Sequence, residues 1–220
     1  FLTNPALALP AIMFPLFFFA ALAGGLSRVQ NVPGFDYPNG YTTFQFGFVL
    51  VQASAFGGVF AGFSIARDFE SGFSRRVMLA TPHRSAMIVG YGIAAMARAA
   101  IIVALLFVVG LAAGMQVSGG PSELLLLILL AVTTNMMAVL FASGIAFRFR
   151  TIQAGPLMQT PVFMVLFLTP VYVPYLLLAG WVRSAAGVNP LTDVVEGARN
   201  LLAGSTDGVL TAFGLSLLLG

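Results

Sequence analysis

The chain has 220 residues, of which 59% are hydrophobic and 8% charged. A soluble domain carries roughly 25% charged residues, so this sequence cannot cover a water-facing surface, and its long continuous apolar runs exclude the alternating segments of a transmembrane barrel. Ten arginines stand against seven acids, with no lysine, no cysteine and one histidine, His83. These residues therefore cannot supply a P-loop lysine, a disulfide, or a thiolate or multi-histidine metal site.

The expected fold class is all-α: a polytopic membrane helix bundle of six transmembrane helices forming a single transmembrane domain over residues 1–220. About 20 apolar residues cross a bilayer. The first run, residues 5–26, fits one crossing, and Pro5, Pro10 and Pro15 predict a kinked helix. A polar stretch follows to Thr42, with turn signals at Pro33-Gly34, Pro38 and Asn39-Gly40. Residues 44–66 form the second crossing, where Gly58 and Gly62, four apart, invite close approach of another helix. Residues 67–84 are the most charged segment. Further crossings are expected over 85–116, 124–147 and 152–172, with a sixth, truncated, over 209–220.

Residues 173–208 break the pattern. Asn189-Pro190 reads as a helix start, with Asn189 as N-cap and Pro190 at the first helical position. Leu191, Val194, Val195, Ala198, Leu201 and Leu202 share one face, Asp193, Glu196 and Asn200 the other, and Gly204 is the stop. Such a helix is about 20 Å long, so an interfacial or re-entrant placement is expected. Because the chain starts on Phe1 rather than methionine and stops inside an apolar run, a longer protein is expected around it.

Six arginines, Arg67, Arg75, Arg76, Arg84, Arg148 and Arg150, fall on one side of this layout. The positive-inside rule then puts that side and both termini in the cytoplasm of the inner (plasma) membrane. Arg98 is the charge inside an apolar stretch, and intramembrane charge is a functional suspect. From Arg98 to Gln116 is about 27 Å of helix, which favours a snorkelling anchor at the inner boundary. No Asp or Glu lies within an assigned span, which argues against a proton- or sodium-coupled carrier. Gln45, Gln52, Asn135 and Gln159 are expected to make interhelical hydrogen bonds. Phe44, Phe48 and Phe56 on the second span are candidates for a greasy substrate path, against the plainer reading of helix packing.

In the stretch ARDFESGFSRRVMLATPHRS, Phe69, Phe73 and Val77 repeat every four residues. That spacing predicts one amphipathic helix with Arg75 and Arg76 on or near its polar side, shaped to dock in a groove of a soluble partner. Glu70-Ser71-Gly72, Leu79 and Pro82-His83-Arg84 resemble the cytoplasmic motif of type-2 ABC exporter permeases, the membrane subunits of daunorubicin-type drug, lipid and polysaccharide exporters. Asn189-Pro190-Leu191-Thr192, with Arg199, Leu202 and Gly204, resembles that family's outer motif.

The resemblance implies a coupling helix over roughly Asp68–Ala80, with Asp68, Phe69, Glu70, Gly72, Phe73, Arg75, Arg76, Val77 and Pro82 as ATPase-coupling residues. It also implies two ABC ATPase subunits, a second permease copy or homologous permease, and a substrate path along the permease interface. The chain itself is then not an enzyme and binds no cofactor or metal; ATP and Mg belong to the partner ATPase, and no nucleic acid is involved. The competing readings are a channel or secondary carrier working without an ATPase, and a membrane scaffold without transport.

Overall fold

The computed structural model describes residues 5–80 and 84–219, with side chains described over 12–80 and 87–219. No strand occurs among the described residues. The helices are α1 (Pro5–Gly25), α2 (Gly40–Glu70), α3 (Phe73–Ala80), α4 (Arg84–Ala112), α5 (Pro121–Phe149), α6 (Gly155–Phe167), α7 (Gly180–Val188), α8 (Pro190–Ala203) and α9 (Val209–Leu218). Among the described residues, three helices are long and apolar enough to cross a membrane: Gly40–Glu70, Met87–Ala112 and Pro121–Phe149. The shorter apolar helices cover Ile12–Gly25, Ile152–Phe167 and Val209–Leu218.

The 31-residue α2 is the axis of the bundle. At about 46 Å it exceeds the ~30 Å hydrocarbon thickness, so its last turn projects beyond the crossing. It is buried along most of its length and packs on α1, α4, α5, α6 and α8. Its closest neighbour is α5, and small residues on both helices make that approach possible. A Cβ on Gly58 would sit 2.5 Å from that of Ala138, and one on Gly62 would sit 2.6 Å from that of Ala142. The four-residue spacing of glycines on α2 thus meets a four-residue spacing of alanines on α5, the small-residue seam by which membrane helices associate.

The fifth crossing departs from expectation. Instead of a helix over 152–172, a single 3-10 turn at Ile152–Ala154 leads into α6, which stops at Phe167. At about 20 Å α6 is shorter than a hydrocarbon core. Pro170 and Pro174 forbid helical continuation, so residues 168–174 run as open backbone. Polar backbone at such depth must find partners inside the protein, and three consecutive carbonyls do. Pro170 O accepts from Arg199 Nη2 (2.8 Å), Val171 O from Gln45 Nε2 (2.9 Å) and Tyr172 O from Tyr41 Oη (3.1 Å).

One other expectation needs correction. Residues 113–116, assigned to the third span, form a turn and extended chain after α4. Arg98 lies midway along α4 and is buried, 8% exposed. The helix starts by Arg84 without a break, so Arg98 is carried well inside it.

The α2–α5 seam generates a graded test. Gly62→Ala should destabilise the bundle by about 1–3 kcal/mol, the usual cost of overpacking. Adding Ala142→Gly should recover about 1 kcal/mol of that beyond additivity, because the next nearest atoms lie at 3.1 Å. For Gly58→Ala with Ala138→Gly the recovery should be small, since backbone atoms remain at 2.6 and 2.7 Å. Thermal unfolding of the purified variants in one lipid or detergent system measures all four.

Candidate coupling site

Gly72 decides the local geometry at the arginine-rich end. Its φ of +72° lies in the left-handed region that glycine adopts without strain, and it ends α2 at Glu70 before α3 begins at Phe73. The expected single amphipathic helix over Asp68–Ala80 is therefore two helices with a turn between them. Phe69, Phe73 and Val77 do not form one stripe.

Phe69 faces inward. Its ring meets Phe147 of α5 edge-on at 5.8 Å, and the Arg150 guanidinium carbon sits 5.5 Å from its centre. Phe73, by contrast, is 48% exposed and Leu79 90% exposed, with Arg75 and Arg76 also exposed and Val77 half-buried. Pro82 lies outside the described residues.

Two side-chain ties fix α3 and the end of α2. On one side Tyr91 of α4 donates to Asp68 Oδ2 (2.8 Å), and its hydroxyl lies 3.4 Å from Oγ of the buried Ser74. One phenol thereby joins α2, α3 and α4. On the other side Glu70 Oε1 accepts from Thr151 Oγ1 (2.6 Å) and from the Ile152 amide (3.0 Å). The Thr151 hydroxyl, and after it the Ile152 amide, hold the Glu70 carboxyl below the usual carboxylate range, so it is ionised at neutral pH. Thr151 also caps the following 3-10 turn by accepting from Gln153 N. Glu70 thus latches the first arginine-rich loop to the second.

Between these ties lies a cleft of about 380 Å³ lined by Phe69, Glu70, Gly72, Arg75, Met78 and Arg150. It contains no constellation for covalent chemistry. Among the described residues no cluster of histidine, cysteine or acid could hold a metal. A cleft between a fixed short helix and a second loop is suited to receiving part of another protein.

At the opposite end the Asn-Pro segment folds as α8. Asn189 Oδ1 accepts from Leu191 N (3.0 Å), Pro190 takes the first helical position, and Gly204 closes the helix at φ +85°. Asn189 Nδ2 also donates to Val165 O of α6 (2.6 Å). Arg199 is 1% exposed and reaches three groups: Phe44 O (3.1 Å), Pro170 O (2.8 Å) and Glu196 Oε1 (2.9 Å). Its guanidinium carbon lies 3.4 Å above the Phe44 ring. Phe44 is therefore committed to this node. Phe48 and Phe56 are also buried, against rings of α1 and α6.

A family model for the ABC-2 type transporter matches residues 1–203. The chain belongs to the ABC-2 type transporter family. Neither curated proteins nor solved structures gave a match. The helical bundle with long apolar helices and the family match together make the chain a multi-pass membrane permease subunit of an ABC transporter. Members of this family associate with an ABC ATPase.

Tyr91, Ser74, Arg150 and Thr151 were not legible as site residues, because each meets the motif across a long gap in sequence or a change of helix. Arg150 and Thr151 follow the end of the fourth apolar run, the one available signal for them, whereas Tyr91 lies inside the third run and Ser74 inside the charged segment. If Glu70 is the latch between the two loops, Glu70→Ala should speed hydrogen exchange at the Ile152 amide, which loses its acceptor. Exchange in α2 around Gly58 should not change. Hydrogen-exchange mass spectrometry on the purified permease measures both segments in one run.

Proposed function

We propose that this permease is the membrane subunit of an ATP-driven exporter that moves a hydrophobic or amphipathic compound, a drug, antibiotic or lipid, out of the cytoplasm or inner leaflet. It works with two ABC ATPase subunits and a second permease copy or homologue, in the plasma membrane with its N-terminus cytoplasmic. The observation that carries this reading is α3. One side of it is tied down through Ser74 and Tyr91, while Phe73, Leu79, Arg75 and Arg76 stand free. A short, rigidly mounted helix with exposed apolar and cationic side chains is what helix-in-groove recognition uses.

The charge distribution supports an external motor. The acids of the apolar helices lie at their ends, Asp68 and Glu70 in the last turn of α2 and Glu123 in the first of α5. Ion-coupled carriers usually place an ionisable group at membrane depth. An ATPase that binds α3 differently in two nucleotide states would supply the energy by differential affinity.

Phe73→Ala or Leu79→Ala should weaken the affinity of the ATPase for the permease about thirtyfold and so lower its recovery, since truncating a central apolar anchor costs upwards of ~2 kcal/mol. Membrane insertion should be unaffected. Phe69→Ala should instead lower thermal stability, because its ring is spent on Phe147 and Arg150. Co-purification and efflux, normalised to permease abundance, distinguish these; wild-type recovery for both Phe73→Ala and Leu79→Ala would exclude α3 as the docking helix.

The orientation has its own check. A cysteine replacing exposed Leu79 should be shielded from impermeant thiol reagents on intact cells, and one replacing exposed Asp36 should react. The reverse labelling pattern would overturn the orientation.

A further inference from the structure

Gln45 and Asn135 place their side-chain amides on carbonyls, at Val171 and Ser54. Gln52 does not. It is completely buried, yet neither its Nε2 nor its Oε1 has a hydrogen-bond partner. A buried amide left unpaired is strongly disfavoured, and such groups in folded proteins call for a specific explanation.

On its own helix it is flanked by phenylalanines. Gln52 lies one helical turn from Phe48 and one from Phe56, on the same face of α2. The Phe48 ring meets Phe18 of α1 at 6.4 Å and Phe167 of α6 at 6.2 Å. The Phe56 ring meets Phe14 of α1 at 5.5 Å and Phe163 of α6 at 4.5 Å. Each storey is closed by a ring pair between α1 and α6, Phe18 with Phe167 at 5.6 Å and Phe14 with Phe163 at 6.1 Å. These four outer rings are half-buried, whereas Phe48 and Phe56 are fully buried behind them. The arrangement is a seam with its outer rings at the bundle surface and an unpaired amide in the wall of α2 behind.

We propose that the α1–α2–α6 seam binds an uncharged, ring-bearing apolar molecule whose single hydrogen-bonding group pairs with Gln52. Phenyl side chains are held there by packing alone and can turn to admit another ring, replacing ring–ring contacts with equivalent ones. The Gln52 amide offers both a donor and an acceptor, so a hydroxyl, phenol or neutral amide satisfies it. No ionisable side chain belongs to either ring storey, so a charged ligand would be buried without a counter-charge. The inference deepens the exporter reading by naming a substrate class, but binding at the seam needs no ATPase.

The test uses the full chain in lipid nanodiscs without ATPase and two probes of equal ring size, 1-naphthol and 1-methylnaphthalene. Binding is measured by saturation-transfer NMR, with empty nanodiscs as background. Wild type should bind 1-naphthol about 3- to 10-fold more tightly, the range one net hydrogen bond supplies. Gln52→Met, close in shape, should bind both probes equally and near the wild-type level for 1-methylnaphthalene, with an unfolding midpoint equal to or above wild type. Phe163→Ala should weaken both probes.

Equal binding of the two probes by wild type would overturn the proposal, as expected if Gln52 merely holds a buried water. A preference retained in both Gln52→Met and Gln52→Leu would overturn it too, and so would loss of both probes from a folded Gln52→Met chain. Efflux of 1-naphthol from cells with the ATPase is read separately. Probe binding that persists where efflux is absent supports the seam and counts against the exporter reading instead.

Discussion

A buried guanidinium cannot be left without acceptors, and Arg199 organises one end of this molecule around that requirement. Taking an arginine out of water is strongly unfavourable unless its donors are met. Three elements supply what Arg199 needs: the Phe44 carbonyl and ring from α2, the Pro170 carbonyl beyond α6, and Glu196 from its own helix. The exchange works in both directions. Phe44 O stands in the first turns of α2, and Pro170 O belongs to a segment that proline has taken out of helical pairing. Arg199 thereby makes open backbone tolerable where α6 ends early, and Gln45 and Tyr41 extend the same service to the next two carbonyls.

The same helix that begins at this node ends at the latch. α2 carries Tyr41, Phe44 and Gln45 at one end and Asp68, Phe69 and Glu70 at the other. Between them close packing dominates, including the glycine–alanine seam with α5, and one cross-helix hydrogen bond runs from Asn135 Nδ2 to Ser54 O. Directional hydrogen bonds concentrate at the two ends, and close packing fills the length between. Packed helices of this kind move as units rather than bend, because interiors are dense and deform little. Under the proposed function, force applied to α3 reaches the Arg199 node through a single rigid element.

Much of this was legible in the sequence, where the signal was local. Asn189-Pro190 and Gly204 bound α8 as their capping chemistry requires, and Leu191, Val194, Val195, Ala198, Leu201 and Leu202 all face the core. Gly58 and Gly62 mark a close helix approach. What was not legible depended on partners distant in sequence. Arg199 read as a motif residue on an amphipathic helix; nothing near it foretold Phe44 O, 155 positions away. The Phe69–Phe73–Val77 spacing suggested one stripe because a four-residue period cannot reveal that Gly72 adopts φ +72°. Periodicity assumes an unbroken helix, and one left-handed residue cancels it. The fifth span was overextended for a related reason: apolarity continues past Phe167, but the prolines at 170 and 174 end the helix while side chains from α2 and α8 absorb the consequence.

The contrast between Gln45 and Gln52 shows how one residue type on one helix takes two roles. They are seven positions apart, so they share nearly the same face of α2. Gln45 meets a stretch where proline has freed a carbonyl, and it pairs with Val171 O. Gln52 stands between Phe48 and Phe56, whose rings meet α1 and α6 where the described residues are helical, and it makes no such bond. The difference follows from where α6 stops. Had the helix run on to Tyr172, Gln45 would lack its carbonyl as Gln52 does; had it stopped a turn or two earlier, open backbone would lie nearer Gln52. The early end of α6, set by Pro170 and Pro174, therefore separates a polar side chain used for structure from one whose hydrogen-bonding capacity remains available.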